Sequence, residues 1–381
     1  MKLIIQREEL NLAIQHVARA ISSRTTIPIL SGIKIEVKET GVTFTASDTE
    51  ISIQSFVPTE RENLTIVEVK QVGSVVIPAK FFTEMIRKLP TSQVEIQVKE
   101  NFITWIRSGT AEIQLVGLDP EEYPQLPVLE EDNKVSISSD LLKTVIRQTT
   151  FAVSTSETSP ILTGVYWKFD ASRLKLIACD RLRMASREAH IETTEQWDPH
   201  TSIVISGKSL NELNKLLSDQ SMLIDIVVAD NQVLFKIDSL LFYTRILDGT
   251  YPDTSKLIPA SFSTEMTINT RKLADAIDRA YLLSREEKTN IVKMIMKDEQ
   301  TVEVSSSSSE LGKVTEQVDI EQLTGELISI SFNSKYMLDA LKVIDSEFIS
   351  MGFRGPMQPI IIKPADHGNM LHLIMPYRTT N

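Results

Sequence analysis

Hydrophobic residues recur along the chain with two different periods. The three- and four-residue spacing of an amphipathic helix is found at Leu10, Ile14, Val17 and Ile21, and again at Phe82, Met85, Ile86 and Leu89. Strict alternation with polar neighbours, which is typical of a half-buried strand, is found at Val42, Phe44 and Ala46. We therefore expect helices with one apolar stripe, packed on antiparallel sheets with one face to cover.

The same ordered set of elements occurs three times, at a spacing of about 130 residues. Each copy opens with a short alternating strand and an amphipathic helix, which start at Leu3, Val135 and Met266. The first two copies continue in register and share the pairs Pro28/Pro160, Leu30/Leu162 and Gly32/Gly164, whereas the third is looser at this point. The chain is therefore predicted to be a triplication.

Later elements keep the same order in each copy. A pair of strands starts at Val42, Leu174 and Val302, and a second helix then follows a short strand. This second helix has a lysine at the same place near its start, at Lys80, Lys208 and Lys335. The first two copies close with a strand, a turn and a Tyr-Pro pair, at Tyr123-Pro124 and Tyr251-Pro252.

Polar segments at 128–134 and 260–265 interrupt the strand pattern and mark the boundaries between copies. We predict three α+β domains, at 1–128, 129–260 and 261–381, each with two helices laid side by side on antiparallel sheets.

Composition narrows the class of protein. The start MKLIIQREEL has neither the length nor the pattern of a signal peptide or membrane anchor, and no later run has a spanning length, so a cytoplasmic protein without membrane contact is expected. The single cysteine, Cys179, excludes an internal disulfide, and the five histidines show no metal-site spacing, so no metal is expected.

The distribution of charge is more informative than its total. The net charge is −11, which by itself argues against nucleic-acid binding. The six predicted helical stretches nevertheless sum to +7, which leaves −18 for the rest of the chain. Exposed lysines are ordinary on solvated helices, but a shared sign on all six helices predicts a basic helical surface that contacts DNA phosphates without reading sequence.

Several segments resemble, in order and over essentially the whole chain, the bacterial DNA polymerase III beta subunit, the DNA sliding clamp: SSRTTIPILSGI, TSPILTGVYW, LDGTYPDTSKLIP, FNSKYMLDALKV and MPYR. The resemblance implies three clamp domains per chain and a head-to-tail homodimer that forms a six-domain ring. It implies a non-catalytic processivity factor that encircles duplex DNA without sequence specificity and uses no cofactor. The implied partners are the polymerase III alpha subunit, the clamp loader and repair proteins, which bind through linear peptide motifs.

The resemblance also implies site residues. DNA contact is expected from Arg24 and Lys208, and the repeat extends the role to Lys80 and Lys335, with Arg285, Lys288 and Lys293 as further candidates. The dimer interface is expected to join the edge strand near Ile113 to Leu282 and Leu283 of the other subunit. A peptide pocket between domains 2 and 3 is expected at Leu162, Cys179, Arg181, Leu182, Arg183, Met184, Pro252, Leu257, Pro356, Gln358, Ile374, Met375, Pro376, Tyr377 and Arg378.

The chain departs from the family pattern in that pocket. The family has Thr-Asp, a small or polar residue and then His-Arg-Leu, where this chain has Cys179, Asp180, Arg181, Leu182, Arg183 and Met184, and its tail runs three residues past Arg378. Leu182 removes a polar group and Arg181 adds a positive charge at the pocket rim. A divergent second-copy clamp with altered partner choice is therefore a second hypothesis.

The sequence leaves two further classes of protein as alternatives. A cysteine hydrolase would need a thiolate at Cys179 with a base such as His190 in hydrogen-bond reach, but Cys179 ends an apolar strand pattern, which is typical of an inert buried thiol. A scaffold that keeps the ring fold without binding DNA is the other alternative.

Overall fold

The computed structural model describes residues 1–22, 25–127, 129, 134–193, 201–218, 220–286, 288–308, 310–366 and 368–378. In these ranges each sequence repeat contains two α-helices and a set of antiparallel strands, as predicted. No helix in the described part of the chain is both long and apolar enough to cross a membrane.

Repeat 1 contains helices α1 (Arg7–Val17) and α2 (Ala79–Arg87). Its strands are β1 (Lys2–Gln6), β2 (Gly32–Lys38), β3 (Gly41–Ser47), β4 (Ile51–Pro58), β5 (Glu60–Arg61), β6 (Leu64–Thr65), β7 (Val67–Gln71), β8 (Gly73–Pro78), β9 (Gln93–Val98), β10 (Ile103–Ser108) and β11 (Ala111–Val116). The expected continuation of the first helix to Ile21 is wrong, because the α-helix ends at Val17 and a 3-10 turn spans Ala18–Ala20.

Repeat 2 contains helices α3 (Ser139–Thr150) and α4 (Gly207–Leu216). Its strands are β12 (Lys134–Ser138), β13 (Gly164–Asp170), β14 (Arg173–Cys179), β15 (Arg183–His190), β16 (Glu192–Thr193), β17 (Ser202–Ser206), β18 (Leu223–Val228), β19 (Gln232–Ile237) and β20 (Leu240–Arg245). Short 3-10 turns that begin at a proline precede the first strand after the first helix in both repeats, at Pro28–Ser31 and Pro160–Thr163.

Repeat 3 contains helices α5 (Thr270–Glu286) and α6 (Ser334–Leu341). Its strands are β21 (Thr264–Asn269), β22 (Ile291–Met296), β23 (Thr301–Ser308), β24 (Gly312–Gly325), β25 (Ser329–Asn333), β26 (Phe348–Phe353), β27 (Ile360–Pro364) and β28 (Met370–Ile374). Asn333 caps α6, since its side-chain oxygen accepts the backbone N–H groups of Lys335 and Tyr336 at 3.0 and 3.2 Å.

The described residues form two compact units, although the sequence has three repeats. The first holds those within Met1–Asp140, Glu192–Trp197 and Lys215–Ile246, and the second holds those within Leu141–Ile191, Asp198–Asn214 and Leu247–Asn381. Repeat 2 is divided between them because its last strand, β20, pairs with β4 in the sheet of repeat 1, while its strand β15 pairs with β28 of repeat 3.

Each unit is built on long antiparallel sheets. The first unit has a nine-stranded sheet, in the order β16-β12-β18-β19-β20-β4-β3-β2-β8, and a five-stranded sheet, β11-β10-β9-β1-β7. The second has a twelve-stranded sheet, in the order β17-β13-β14-β15-β28-β27-β26-β21-β24-β23-β22-β25. Strand β11 therefore lies at an edge.

The apolar stripes of the helices are buried as their spacing predicts. Leu10, Ile14 and Val17 of α1 are buried, and α1 packs on β3 and β4 and beside α2. In repeat 3, Leu273 and Ile277 of α5 share one core with Val292 and Met294 of β22. Burying a side chain of this size contributes roughly 1.5–3 kcal/mol, so these faces are a main source of each repeat's stability.

Candidate functional site

The turn between β14 and β15 is built by one aspartate. Asp180 accepts the backbone N–H groups of Leu182 and Arg183 at 3.0 and 2.9 Å, and Arg181 has a positive φ of 76°. Repeat 1 has the same turn, in which Asp48 accepts from Glu50 and Ile51 and Thr49 has a φ of 79°. Aspartate stabilises such turns because its side-chain carboxylate accepts the backbone N–H groups two and three residues later, so the local sequence fixes this corner.

Beside this corner, apolar side chains of repeats 2 and 3 form one cluster. Leu162, Cys179 and Met184 of repeat 2 are buried together with Ile361 and Leu373 of repeat 3. The β15–β28 pairing brings them together, because Met184 lies opposite Leu373. Partly buried side chains complete the cluster: Ile161, Ile177, Tyr251, Ile258, Phe262, Leu371 and Met375.

Tyr251 packs against the buried residues of this cluster. Its hydroxyl accepts the backbone N–H of Cys179 at 3.0 Å and lies 3.5 Å from the sulfur, and its ring stacks on Tyr166 with centroids 5.3 Å apart. Burial raises the pKa of the Cys179 thiol, which disfavours the thiolate. Burial also raises the pKa of the Tyr251 hydroxyl.

The hydrolase hypothesis fails on geometry as well. Cys179 lies opposite Met184 at one end of the β14–β15 hairpin, and His190 lies opposite Arg173 at the other end. Six residues of strand separate the two ends, which is about 20 Å, so His190 is out of hydrogen-bond reach of the thiol.

A groove of about 370 Å³ continues from the cluster over the sheet of repeat 2. It lies on the face that carries Met184 and Ser186, which we call the groove face. The opposite face of β15 carries Arg183 and Arg187, which contact α3 and the residue after it. The groove is lined by Tyr166, Lys168, Lys175, Ile177, Met184, Ser186, Tyr251, Pro252, Asp253, Thr254, Ser255 and Ile258.

Most predicted pocket residues lie at or near this cluster. Leu162, Cys179, Met184 and Met375 belong to it, and Pro252 lines the groove. Leu182 is 53% exposed, and its carbonyl accepts the N–H of Met375 at 2.8 Å. Arg181 reaches the neighbouring rim, where its guanidinium donates to the Ser159 hydroxyl at 2.6 Å. Leu257 is exposed at the end of the 3-10 turn Ser255–Leu257.

The other predicted pocket residues are not among those that form the cluster or line the groove. Ile374 faces the core of repeat 3, because it is one residue out of phase with Leu373 and Met375. Pro376 and Tyr377 run beside Phe332 and Ser331 of β25. Pro356 and Gln358 are exposed between β26 and β27, and Arg378 is exposed after the last described strand.

Arg183 is placed on the side of the sheet away from Met184. Its guanidinium donates to Asp180 at 2.9 Å and to Asp339 of α6 at 2.7 Å, and lies over the Tyr336 ring at 4.3 Å. The side chain is only 11% exposed. Arg183 therefore joins repeat 2 to repeat 3, and its expected role in the pocket stays a prediction.

The sequence did not single out several residues that build this site: Tyr166, Ile177, Ile258, Phe262, Ile361 and Leu373. The repeated Tyr-Pro pair was the one available signal for Tyr251. The others depend on strand pairing between repeats, which the alternation of one strand does not specify.

The basic candidates are exposed at the helix surfaces. Lys80, Lys208 and Lys335 are each the second residue of their helix and are exposed, and Arg285 and Lys288 are exposed at the end of α5. Val292 and Met294 of β22 face α5, so Lys293 faces away from the helices, and its expected DNA contact stays a prediction. Arg24 lies outside the described residues.

The predicted interface residues are also accessible. Ile113 is half-buried on the edge strand β11, Leu282 of α5 is 54% exposed, and Leu283 is half-buried. In the described part of the chain, no group of three His, Cys, Asp or Glu side chains is arranged to hold a metal ion.

Three tandem repeats of paired helices on antiparallel sheets, with a basic helix surface and a peptide-sized apolar groove, define a clamp-type protein. Family models assign the three parts separately: the DNA polymerase III beta subunit N-terminal domain matches residues 1–127, the central domain 136–253 and the C-terminal domain 255–378. The chain belongs to the DNA polymerase III beta subunit family.

Relatives match from end to end. The beta sliding clamps of Bacillus subtilis and Halalkalibacterium halodurans are 50% and 46% identical to this chain over 379 residues, and each match covers 100% of both chains. The crystal structure of the Bacillus subtilis clamp has a TM-score of 0.97 at 50% identity and covers 100% of both chains. The beta chain structure from Streptococcus pneumoniae has a TM-score of 0.94 at 36% identity, and covers 99% of this chain and 100% of its own.

These matches confirm the predicted fold, three tandem clamp domains, and the predicted function. The chain is a non-catalytic processivity clamp of DNA polymerase. The hypothesis of a divergent second-copy clamp is not favoured, since half of all positions are identical to a curated clamp over the whole length.

Proposed function

We propose that two copies of this chain close head to tail into a ring around duplex DNA, and that partner proteins dock by short peptides into the cluster around Met184. The observation that carries the ring is the repeated pairing of strands between repeats. The last strand of repeat 2, β20, pairs with β4 of repeat 1, and the last strand of repeat 3, β28, pairs with β15 of repeat 2.

The same kind of pairing would use one strand edge of repeat 1 and one of repeat 3, and both edges are unpaired in the described chain. The last strand of repeat 1 is β11, which has no outer partner among the described residues. The counterpart of β4 and β15 in repeat 3 is the first half of β24, Gly312–Asp319, which pairs only with β23 on one side in the described chain. In a pair of chains, β11 of each copy can pair with the first half of β24 of the other copy. These two pairings would close a dimer and remove the exposed strand edges.

The repeat also gives a register for this interface. Phe242 lies opposite Ile53, and His372 lies opposite Ala185. The equivalent positions on the free edges are Ile113 and Val314. Because the Phe151 ring contacts His372 at 5.4 Å and Leu282 is the equivalent of Phe151, Leu282 is proposed to cover Ile113 of the other copy.

For DNA, the proposed contacts are the exposed helix cations Lys80, Lys208, Lys335, Arg285 and Lys288, with Arg24 added from the family resemblance. They would hold phosphates and supply no sequence reading. The proposed peptide partners are the polymerase III alpha subunit, the clamp loader and repair proteins, and the proposed location is the cytoplasm.

The ring is tested by topology. The protein is loaded with a clamp loader onto nicked circular DNA and washed at high salt, and the circle is then cut. Retention on the circle and release from the linear form are expected, because a closed ring is held by linkage and not by ionic contacts. Equal retention on linear DNA would indicate ordinary groove binding, and no retention on either form would favour a scaffold.

The pocket is tested with a labelled peptide from the alpha subunit. Met375→Ala is expected to weaken its binding at least tenfold, since a few buried apolar contacts dominate such grooves. Leu311→Ala is the matched control, because Leu311 is equally apolar, 59% exposed and outside the cluster. Equal affinity for wild type and Met375→Ala would reject this pocket.

A further inference from the structure

Three rows of side chains cross the groove face of repeat 2. Cross-strand pairing places Cys179 beside Met184 in the first row and Ile177 beside Ser186 in the second. The third row contains Lys168, Lys175 and Glu188, since Lys168 lies opposite Lys175 and Lys175 opposite Glu188. The same groove is lined by Met184 of the first row and by both lysines.

The third row has an excess of positive charge. Lys175 donates to Glu188 at 2.8 Å, whereas Lys168 is exposed and makes no ion pair with any described residue. Like charges directly opposite each other destabilise a sheet, so nothing in the fold itself requires this pair of lysines. Asp253, the acidic residue in the groove wall, is bonded locally to Ser255 and Lys256.

The spacing of the rows matches an extended peptide. Four residues of β14 separate Cys179 from Lys175, which corresponds to about 13 Å along the strand. An extended peptide advances by nearly the same amount per residue. A segment with its apolar anchor at Met184 would therefore place a residue about four positions away over Lys168 and Lys175.

We infer that this groove selects peptides with an acidic residue about four positions from the apolar anchor, which would meet Lys168 and Lys175. The inference rests on the proposed peptide pocket and names a charge preference within it. The anchor supplies most of the affinity, and the lysines discriminate among partners that share the same anchor.

The test uses the full chain and four variants of the alpha-subunit peptide. In two, the residue four positions before the anchor is Asp or Asn; in the other two, the residue four positions after it is Asp or Asn. At one of the two positions, the Asp peptide is expected to bind about two- to fivefold tighter than the Asn peptide at low salt, as for an exposed ion pair. The advantage should disappear at about 0.5 M salt because exposed charges are screened.

Lys168→Gln should remove the advantage of the Asp peptide over the Asn peptide. Lys38→Gln is the control, since Lys38 is an exposed lysine of repeat 1 outside the groove. If Asn peptides bind but Asp gives no advantage in either direction, or if the advantage survives in Lys168→Gln, the charge preference is rejected. If no peptide binds, the pocket itself is rejected, and the inference with it.

Discussion

At the scale of single residues, Tyr251 joins the segment after β20 to the end of β14. Its hydroxyl is the acceptor for the backbone N–H of Cys179, a residue that is only 5% exposed. A buried N–H that loses its acceptor costs about 1–3 kcal/mol. The Tyr251 hydroxyl therefore stabilises the folded chain in addition to the burial of its ring.

Tyr251→Phe is expected to lower the free energy of unfolding by about 1–2 kcal/mol, since the ring is retained and the acceptor is lost. Urea unfolding followed by circular dichroism measures this. Tyr166→Phe is the matched control, because it keeps the stacked pair of rings. Losses of equal size in the two variants would show that the Cys179 bond is not the cause.

His372 is a second residue whose setting predicts a measurable effect. The side chain is 1% exposed, neither ring nitrogen has a hydrogen-bond partner among the described residues, and burial lowers its pKa to about 3. The unfolded chain has the ordinary value of about 6.5. Between these values the unfolded state binds the extra proton, so the folded state loses stability as the pH falls.

We expect the free energy of unfolding to fall below pH 6.5 with a slope from this residue that approaches about 1.4 kcal/mol per pH unit. His372→Phe should flatten that slope, and Phe242 shows that a phenylalanine is accommodated at the equivalent position of repeat 2. His190→Phe is the control, because His190 is exposed. Unfolding curves at several pH values between about 4.5 and 7.5 give this slope for each variant. The expected result is that His372→Phe flattens the slope and His190→Phe does not.

At the scale of elements, the junction of β15 with β28 differs from the junction of β4 with β20. Arg183 in the first is replaced at the equivalent position by Ile51 in the second. The guanidinium connects two carboxylates and two rings in a setting with little solvent. Removing one member of such a group leaves the remaining charges poorly compensated.

Arg183→Met, which keeps the length of the side chain, is expected to destabilise the second unit by about 3 kcal/mol, because Asp180 and Asp339 stay behind. Urea unfolding of the variant measures the loss. Arg147→Met is the control, since Arg147 is 44% exposed and pairs with Asp345 at 2.9 Å. The control should change stability by less than about 1 kcal/mol, and a similar loss in both would argue against an effect of burial.

The repeated corner also explains why one junction is proposed as the peptide pocket. Around the corner at Asp48, the counterparts of Cys179 and Met184 are Ser47 and Ser52, and the Ser52 hydroxyl donates to that of Ser47. Leu126 and Leu129 of the following segment already cover Leu234 and Tyr243 there. The same backbone therefore gives a more polar and partly filled site in the first unit.

At the scale of the whole molecule, the proposed dimer depends on the two strand edges that have no partner among the described residues. Ile113 lies on the core side of β11, opposite buried Ile106, and it is half-buried because β11 has no outer neighbour among the described residues. The equivalent residues Phe242 and His372 are buried, and each lies on a strand that pairs with the preceding repeat. A charge at Ile113 should therefore block assembly and leave the fold of repeat 1 in place.

Ile113→Asp is expected to convert the dimer to a monomer in size-exclusion chromatography with light scattering, and to abolish retention on circular DNA. Val116→Asp is the matched control on the same strand, since Val116 is 68% exposed and its counterpart Arg245 stays exposed at a closed junction. A dimeric Ile113→Asp protein, or a monomeric wild type, would refute the proposed interface.

The triplication, the six helices of the described chain and the half-buried strands could all be predicted from the sequence, because periodicity and repetition can be read along the chain without the fold. It also placed Lys80, Lys208 and Lys335 at equivalent helix positions. Which strands of different repeats pair depends on the folded chain. The β15–β28 pairing placed Leu373 beside Met184 in the cluster and buried Arg183. Alternation in the sequence predicts which residues of a strand share a face of the sheet. The residues that this face contacts depend on pairing between distant strands.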